Sequence, residues 1–184
     1  MSERDLAEFL DTLRRATKAV APDYFALPAP DRRLVSRERV YCYELYHQIR
    51  CLLPDDYRYT LNAEIDKAGH PWLAEGDLRR KPDLVVHTPG GHPNLLVIEV
   101  KSGSAGPDDL KEAAESLRYF TDRPFCYEYG ALLVFGGDRR RLLKSMQRIN
   151  VDGYAFPAER LFALHHAEAD SEVSKLTAEE IAAA

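Results

Sequence analysis

Residues 81–101 read KPDLVVHTPGGHPNLLVIEVK, two apolar runs joined by Pro89-Gly90-Gly91-His92-Pro93. Proline and glycine break regular structure, and the flanking valine, leucine and isoleucine favour strands, so the stretch predicts a β-hairpin with strands near 82–89 and 94–102. A three-residue loop centred on Gly91 pairs residues whose numbers add to 182, which sets Asp83 opposite Glu99. Opposed side chains of an antiparallel pair lie about 4.5–5.5 Å apart at Cβ and share a face. Lys101 shares that face too, because strand side chains alternate with period two. A bulge or an even-numbered loop would break this parity.

Two facing carboxylates repel unless positive charge lies between them. A hard divalent cation is the natural occupant, and Mg²⁺ takes one or two carboxylates together with waters and substrate phosphate. Lys101, two residues from Glu99, can orient or help deprotonate a water beside such an ion. Those are the parts that phosphodiester hydrolysis requires. The competing reading makes Glu99 and Lys101 the wet face of an amphipathic strand. The nearly unbroken run Leu95-Leu96-Val97-Ile98 before Glu99-Val100 argues against it, since it fits a strand covered on both faces, where charges are paired or metal-bound.

Outward from the hairpin, residues 3–20 carry Leu6, Phe9, Leu10, Leu13 and Val20 near helical spacing. The connector with Pro22, Pro28 and Pro30 is expected to be irregular. Ser36 is the expected N-cap of a helix over about 37–53, ended by Pro54. A strand over about 57–66, a turn at Ala68-Gly69-His70-Pro71 and a polar loop with Trp72 precede the hairpin. Pro107 opens a helix to about Asp122. Gly130–Phe135 reads as a buried strand, a basic helix follows to about Ile149, and Leu161–His165 is the last expected strand. The expectation is a single domain over residues 1–166 of α/β class, a central mixed β-sheet flanked by α-helices, with a frayed acidic tail over 167–184 that turns helical after Thr177.

The Pro82-Asp83 and Glu99-Val100-Lys101 pair, with this strand–strand–helix–strand order, resembles the PD-(D/E)XK phosphodiesterases, the restriction-endonuclease-like nucleases. The resemblance spans about half of the chain. It implies a restriction-endonuclease-like core, Asp83 and Glu99 as Mg²⁺ ligands (Mn²⁺ as a substitute), the Val100 carbonyl as a further ligand and Lys101 as the catalytic lysine. Many members carry an extra acid on the helix before the sheet. Glu44, at the edge of the apolar face of the 37–53 helix, fits that role, with Glu64 as the rival. Some exonuclease-like branches place Gln-x-x-x-Tyr on the following helix; here Glu115 stands in the glutamine position of Glu115-Ser116-Leu117-Arg118-Tyr119. Small members work as homodimers or as subunits of restriction, repair or phage-defence assemblies.

The 184 residues are 45% hydrophobic and 30% charged, a globular balance. The apolar runs are too short to span a bilayer. The start, Met-Ser-Glu-Arg-Asp, lacks an export pattern, and three widely spaced cysteines (Cys42, Cys51, Cys126) form neither a disulfide framework nor a zinc site. The expected compartment is the cytoplasm. Of the net charge of −5, −4 falls after Ala167, where Glu168, Asp170, Glu172, Glu179 and Glu180 face Lys175. Candidate phosphate contacts are Arg79, Arg80 and Lys81, Arg118, and Arg139, Arg140 and Arg141 with Lys144 and Arg148. No histidine pair or glycine-rich loop suggests other chemistry. The sequence reading is therefore a Mg²⁺-dependent nuclease acting on DNA. The alternatives are a non-cleaving module of the same fold that binds protein or nucleic acid, favoured by the pI of about 5.7, and a metal-dependent hydrolase of another phosphoester.

Overall fold

Every residue from Leu95 to Val100 is buried, as expected of a strand covered on both faces. The structure is a computed structural model and describes residues 2–31, 33–64, 81–154, 156 and 158–184. Its elements, in chain order, are α1 (Ser2–Lys18), α2 (Pro22–Phe25), β1 (Leu27–Pro28), β2 (Leu34–Val35), α3 (Glu38–Leu52), β3 (Thr60–Ala63), β4 (Leu84–His87), β5 (Asn94–Ser102), α4 (Pro107–Thr121), β6 (Tyr129–Phe135), α5 (Arg139–Val151), β7 (Leu161–His166), β8 (Ser174–Lys175) and α6 (Ala178–Ala182).

The protein is α/β, with a six-stranded mixed sheet in the order β3-β4-β5-β6-β7-β8. The first three strands form an antiparallel meander. Strands β5, β6 and β7 run parallel, joined by the crossovers that contain α4 and α5, and β8 returns antiparallel to β7. Strand parity sorts the core. Leu84, Val86, Leu96, Ile98, Val100 and Leu133 belong to the layer with Phe9, Leu13, Tyr41, Leu45 and Ile49 of α1 and α3. Val85, Val97, Leu132, Val134 and Ala163 pack with Leu110, Leu117, Phe120, Met146 and Ile149 of α4 and α5. No helix among the described residues is long and apolar enough to cross a membrane.

The hairpin register holds where it matters. Leu84 pairs with Ile98, Val85 with Val97 and Val86 with Leu96, each sum being 182, before a shift between Val86 and His87 at the loop end. Other expectations need correction. The Pro-rich connector is not irregular: Pro22 starts α2, where its missing N–H is no loss, and β1 and β2 pair as a small hairpin. Ser36 does not cap α3; Arg37 is the capping residue and makes no side-chain bond. Strand β3 is shorter than 57–66 and β4 shorter than 82–89. The 68–71 turn and the Trp72 loop lie outside the described residues. Nor is the tail frayed. Val173, Leu176 and Ile181 are buried, β8 pairs with β7, and Thr177 caps α6 by accepting from the Glu180 N–H. Three well-spaced apolar residues suffice to dock a segment that carries five acids.

Gly103 locks the end of β5. Its N–H donates to the Phe135 carbonyl at 2.7 Å, and a Cβ built on it would lie 2.3 Å from the Gly136 carbonyl oxygen. That atom is backbone and cannot swing aside, so Gly103→Ala is expected to lower stability by about 1–3 kcal/mol. Urea unfolding checks it; an unchanged midpoint would show that the 136–137 turn yields.

Candidate functional site

Strand β5 outlasts β4. Beyond Ile98, no strand among the described residues lies beside the edge of β5 that faces β4, yet its N–H groups still need acceptors. Side-chain carboxylates take the place of the strand. Asp83 Oδ2 accepts from the Val100 N–H at 2.7 Å, and Glu38 Oε1 accepts from the Ser102 N–H at 2.8 Å. The N–H and C=O of a strand residue leave by the same edge, so the Val100 carbonyl faces the gap between these two acids.

Asp83 precedes Leu84, which pairs with Ile98, and the same register carries Asp83 to Glu99. Glu99 is 6% exposed, and Ser116 Oγ of α4 donates to its Oε1 at 2.6 Å. The two carboxyl groups lie within hydrogen-bond reach of each other. Burial pushes Glu99 up to about 8, and the Asp83 charge adds to the rise; Ser116 and Lys101 oppose it. Asp83 is also raised, by burial first, while the Val100 N–H and Lys101 pull down and Glu38 and Glu64 push up. At neutral pH the pair holds a proton because two bare carboxylates do not fit there. Lys101, half-buried, is the cation that acts on both.

Glu64 follows β3 with φ of 45°, donates its N–H to the Asp83 carbonyl at 3.1 Å, and pairs with Arg39 at 2.9 Å. Cys42, buried one turn after Glu38, feels Asp83, Glu38, Glu64 and Glu99 together; burial, followed by those charges, drives its thiol upward. Among the described residues, four acids therefore gather at one end of β5, with Lys101 among them.

Sequence reasoning brought together Asp83, Glu99, Val100 and Lys101, and the geometry groups them. On α3 it singled out Glu44, which the structure leaves away from the end of β5. Glu44 accepts from Gln48 at 2.7 Å within its own helix. Glu38, six residues earlier, reaches the sheet, because the N-terminal end of α3 is the end that meets Ser102. The apolar stripe drew attention to mid-helix and away from this end. Ser116 was also missed, although a serine between Ala113 and Phe120 on the apolar face of α4 is a readable signal. Arg118 donates to the Gly153 carbonyl at 2.8 Å and lies over the Tyr154 ring. Glu115 accepts from the Tyr154 hydroxyl at 2.6 Å. Arg139 is occupied by the tail, holding Glu180 at 2.8 Å and donating to Ser174. Arg140, Arg141, Lys144 and Arg148 are exposed along α5, as is Lys81, while Arg79 and Arg80 lie outside the described residues.

The histidines that end β7 do more than end it. His166 is fully buried, and its Nδ1 lies 2.7 Å from the Tyr41 hydroxyl. Burial lowers it to about 4.

Among the described residues, no group of three or more histidine, cysteine, aspartate or glutamate side chains is arranged to hold a metal ion. The donors that do converge are two carboxylates and a backbone carbonyl. Such a set suits an oxygen-seeking cation that keeps several waters. Compared with models of known protein families and with curated proteins, the sequence matches none.

Proposed function

We propose that this chain is a Mg²⁺-dependent nuclease with a restriction-endonuclease-like core, hydrolysing phosphodiester bonds in DNA at the end of β5. One arrangement carries the reading: the register sets Asp83 beside the buried Glu99, burial raises both carboxyls, and the Asp83 charge raises Glu99 further. Structural carboxylates are ordinarily paired with a cation or spread apart, and a buried, mutually repelling pair is a frequent mark of a functional site. A divalent cation held by both carboxylates would relieve that repulsion.

Asp83, Glu99 and the Val100 carbonyl would hold the ion. When bound, it supplies Lewis acidity toward a phosphoryl oxygen and lowers the pKa of a bound water. The protein's own groups do the rest. Ser116 fixes the Glu99 carboxylate, and the Val100 N–H fixes that of Asp83. The Lys101 ammonium stands on the same strand face, where it orients the attacking water and offsets charge that builds on the phosphate. Glu38 and Glu64 bound the site and accept hydrogen bonds from that water or its neighbours.

Lys101→Ala is expected to reduce cleavage of plasmid DNA in Mg²⁺ by about 100-fold or more, the size of a lost electrostatic contact in a transition state. Mg²⁺ or Mn²⁺ binding by calorimetry should persist in that variant and vanish in Asp83→Ala. Wild-type cleavage that is unchanged by EDTA or by Lys101→Ala would defeat the proposal. The net charge of −5 favours a second reading, a non-cleaving module for a protein partner. Absence of both cation binding and cleavage in the wild type would decide for it.

A further inference from the structure

The chain between α1 and α3 leaves the body of the protein beside the carboxylate site and returns there. At its outgoing root, Phe25 packs edge-on against Phe135 at 5.5 Å and His166 at 4.9 Å, the ends of β6 and β7. At its returning root, β2 leads within three residues to Glu38, which holds the end of β5. Between these anchors stands the β1–β2 hairpin, with Leu27 opposite Val35 and Pro28 opposite Leu34. None of its described residues is buried.

Two properties of this hairpin go beyond support. Leu34 of β2 is 72% exposed, and Tyr24 of the outgoing root is 43% exposed. Burial of one such side chain is favourable, so their gathering beside the site points to a partner. The charge identifies which partner. From Pro28 to Arg39 the sequence carries Arg32, Arg33, Arg37 and Arg39 against Asp31 and Glu38, a local +2 in a chain of −5; Arg33 pairs with Asp31 and Arg39 with Glu64, while Arg37 is exposed at the returning root. A narrow, two-stranded, basic projection with an apolar side chain matches the groove of a duplex, where arginines meet phosphates and leucines wedge against base steps.

We propose that the β1–β2 hairpin is an arm that grips the groove of double-stranded DNA and holds the duplex across the carboxylate site, with Leu34 against the bases and Arg37 on the backbone. The arm rests on the nuclease reading. It adds to that reading the substrate form, duplex over single strand, and residues that select it.

The test is the affinity of an end-labelled duplex by fluorescence anisotropy, with Ca²⁺ replacing Mg²⁺ to prevent cleavage. Leu34→Ser is expected to weaken binding by about tenfold or more, the loss of one buried leucine. Arg37→Ala should lower the slope of log affinity against log salt by about one. Both side chains are exposed, so unchanged circular dichroism melts will confirm intact folding. Cleavage by the wild type together with unchanged duplex affinity in both variants would overturn the arm and leave the nuclease reading standing. A Leu34→Ser variant that sediments as a monomer where the wild type is a dimer, at equal duplex affinity, would reassign the hairpin to self-association. A wild type that neither binds nor cuts any nucleic acid removes the nuclease reading, and the arm with it.

Discussion

Asp83→Asn is expected to abolish Mg²⁺-dependent DNA cleavage, by about 1,000-fold or more, while raising the melting temperature of the metal-free protein. The loss follows from removing one of two charged ligands. A catalytic cation contributes several kcal/mol in the transition state, and each 1.36 kcal/mol is tenfold in rate. The gain follows from the same charge. Asp83 is raised by burial and by its acidic neighbours, so its ionised form is under strain in the folded protein. Asparagine keeps an oxygen for the Val100 N–H and removes the repulsion against Glu99. Stabilisation of about 1–2 kcal/mol, a few degrees for a chain of this size, is expected at pH 8 in EDTA. Melting curves and a plasmid-nicking assay on one preparation measure both. Cleavage within tenfold of wild type would exclude Asp83 as a ligand. A lower melting temperature would show that the bond to Val100 outweighs the repulsion.

The metal-free protein is expected to lose stability as pH rises from 6.5 to 8.5. Glu99 titrates near 8 when folded and near 4.5 when unfolded. A raised acid stabilises the fold fully below the unfolded value, and the contribution disappears as pH climbs through the folded one. Between 4 and 6.5, however, His166 acts in the opposite sense. Its folded value of about 4 lies below its unfolded 6.5, so its contribution is lost as pH falls. Well above 6.5 the histidine is neutral in both states, and the Glu99 loss dominates. Across that window the loss amounts to about 2 kcal/mol. Urea midpoints at pH 6.5 and 8.5 in EDTA should differ in the wild type and converge in Glu99→Gln, which keeps an acceptor for Ser116. Equal pH dependence in the two proteins would refute a protonated Glu99. Saturating Mg²⁺ should flatten the wild-type profile.

The central hairpin was legible because every constraint on it is local. Proline and glycine fix the turn, and the two-residue period of strand side chains fixes the face. Asp83 and Glu99 then meet by arithmetic that survives a shift at the loop end. The parallel half of the sheet was legible from the spacing of Pro107, Gly130 and Leu161. What escaped is long-range. Glu38 matters because β5 is longer than β4, a property of the sheet that neither strand states alone. Arg139 was read as a phosphate contact because its partner Glu180 lies 41 residues away. The tail was read as frayed because its charges outnumber its few anchoring apolar residues. Leu34 carried no signal in isolation; its exposure has meaning only beside the anchored roots of its hairpin.

The ring cluster at the root of that hairpin has an optical consequence. Tyr41 lies flat on Phe135, centroids 4.0 Å apart with 5° between planes, its hydroxyl fixed by His166 and its edge met by Phe25. A phenol held in one asymmetric setting gives a strong near-ultraviolet dichroic band. Because Phe25 belongs to the hairpin's root and touches the same rings, any displacement of the hairpin changes the field at that chromophore. The protein thus carries its own reporter of hairpin displacement, readable on an unlabelled sample.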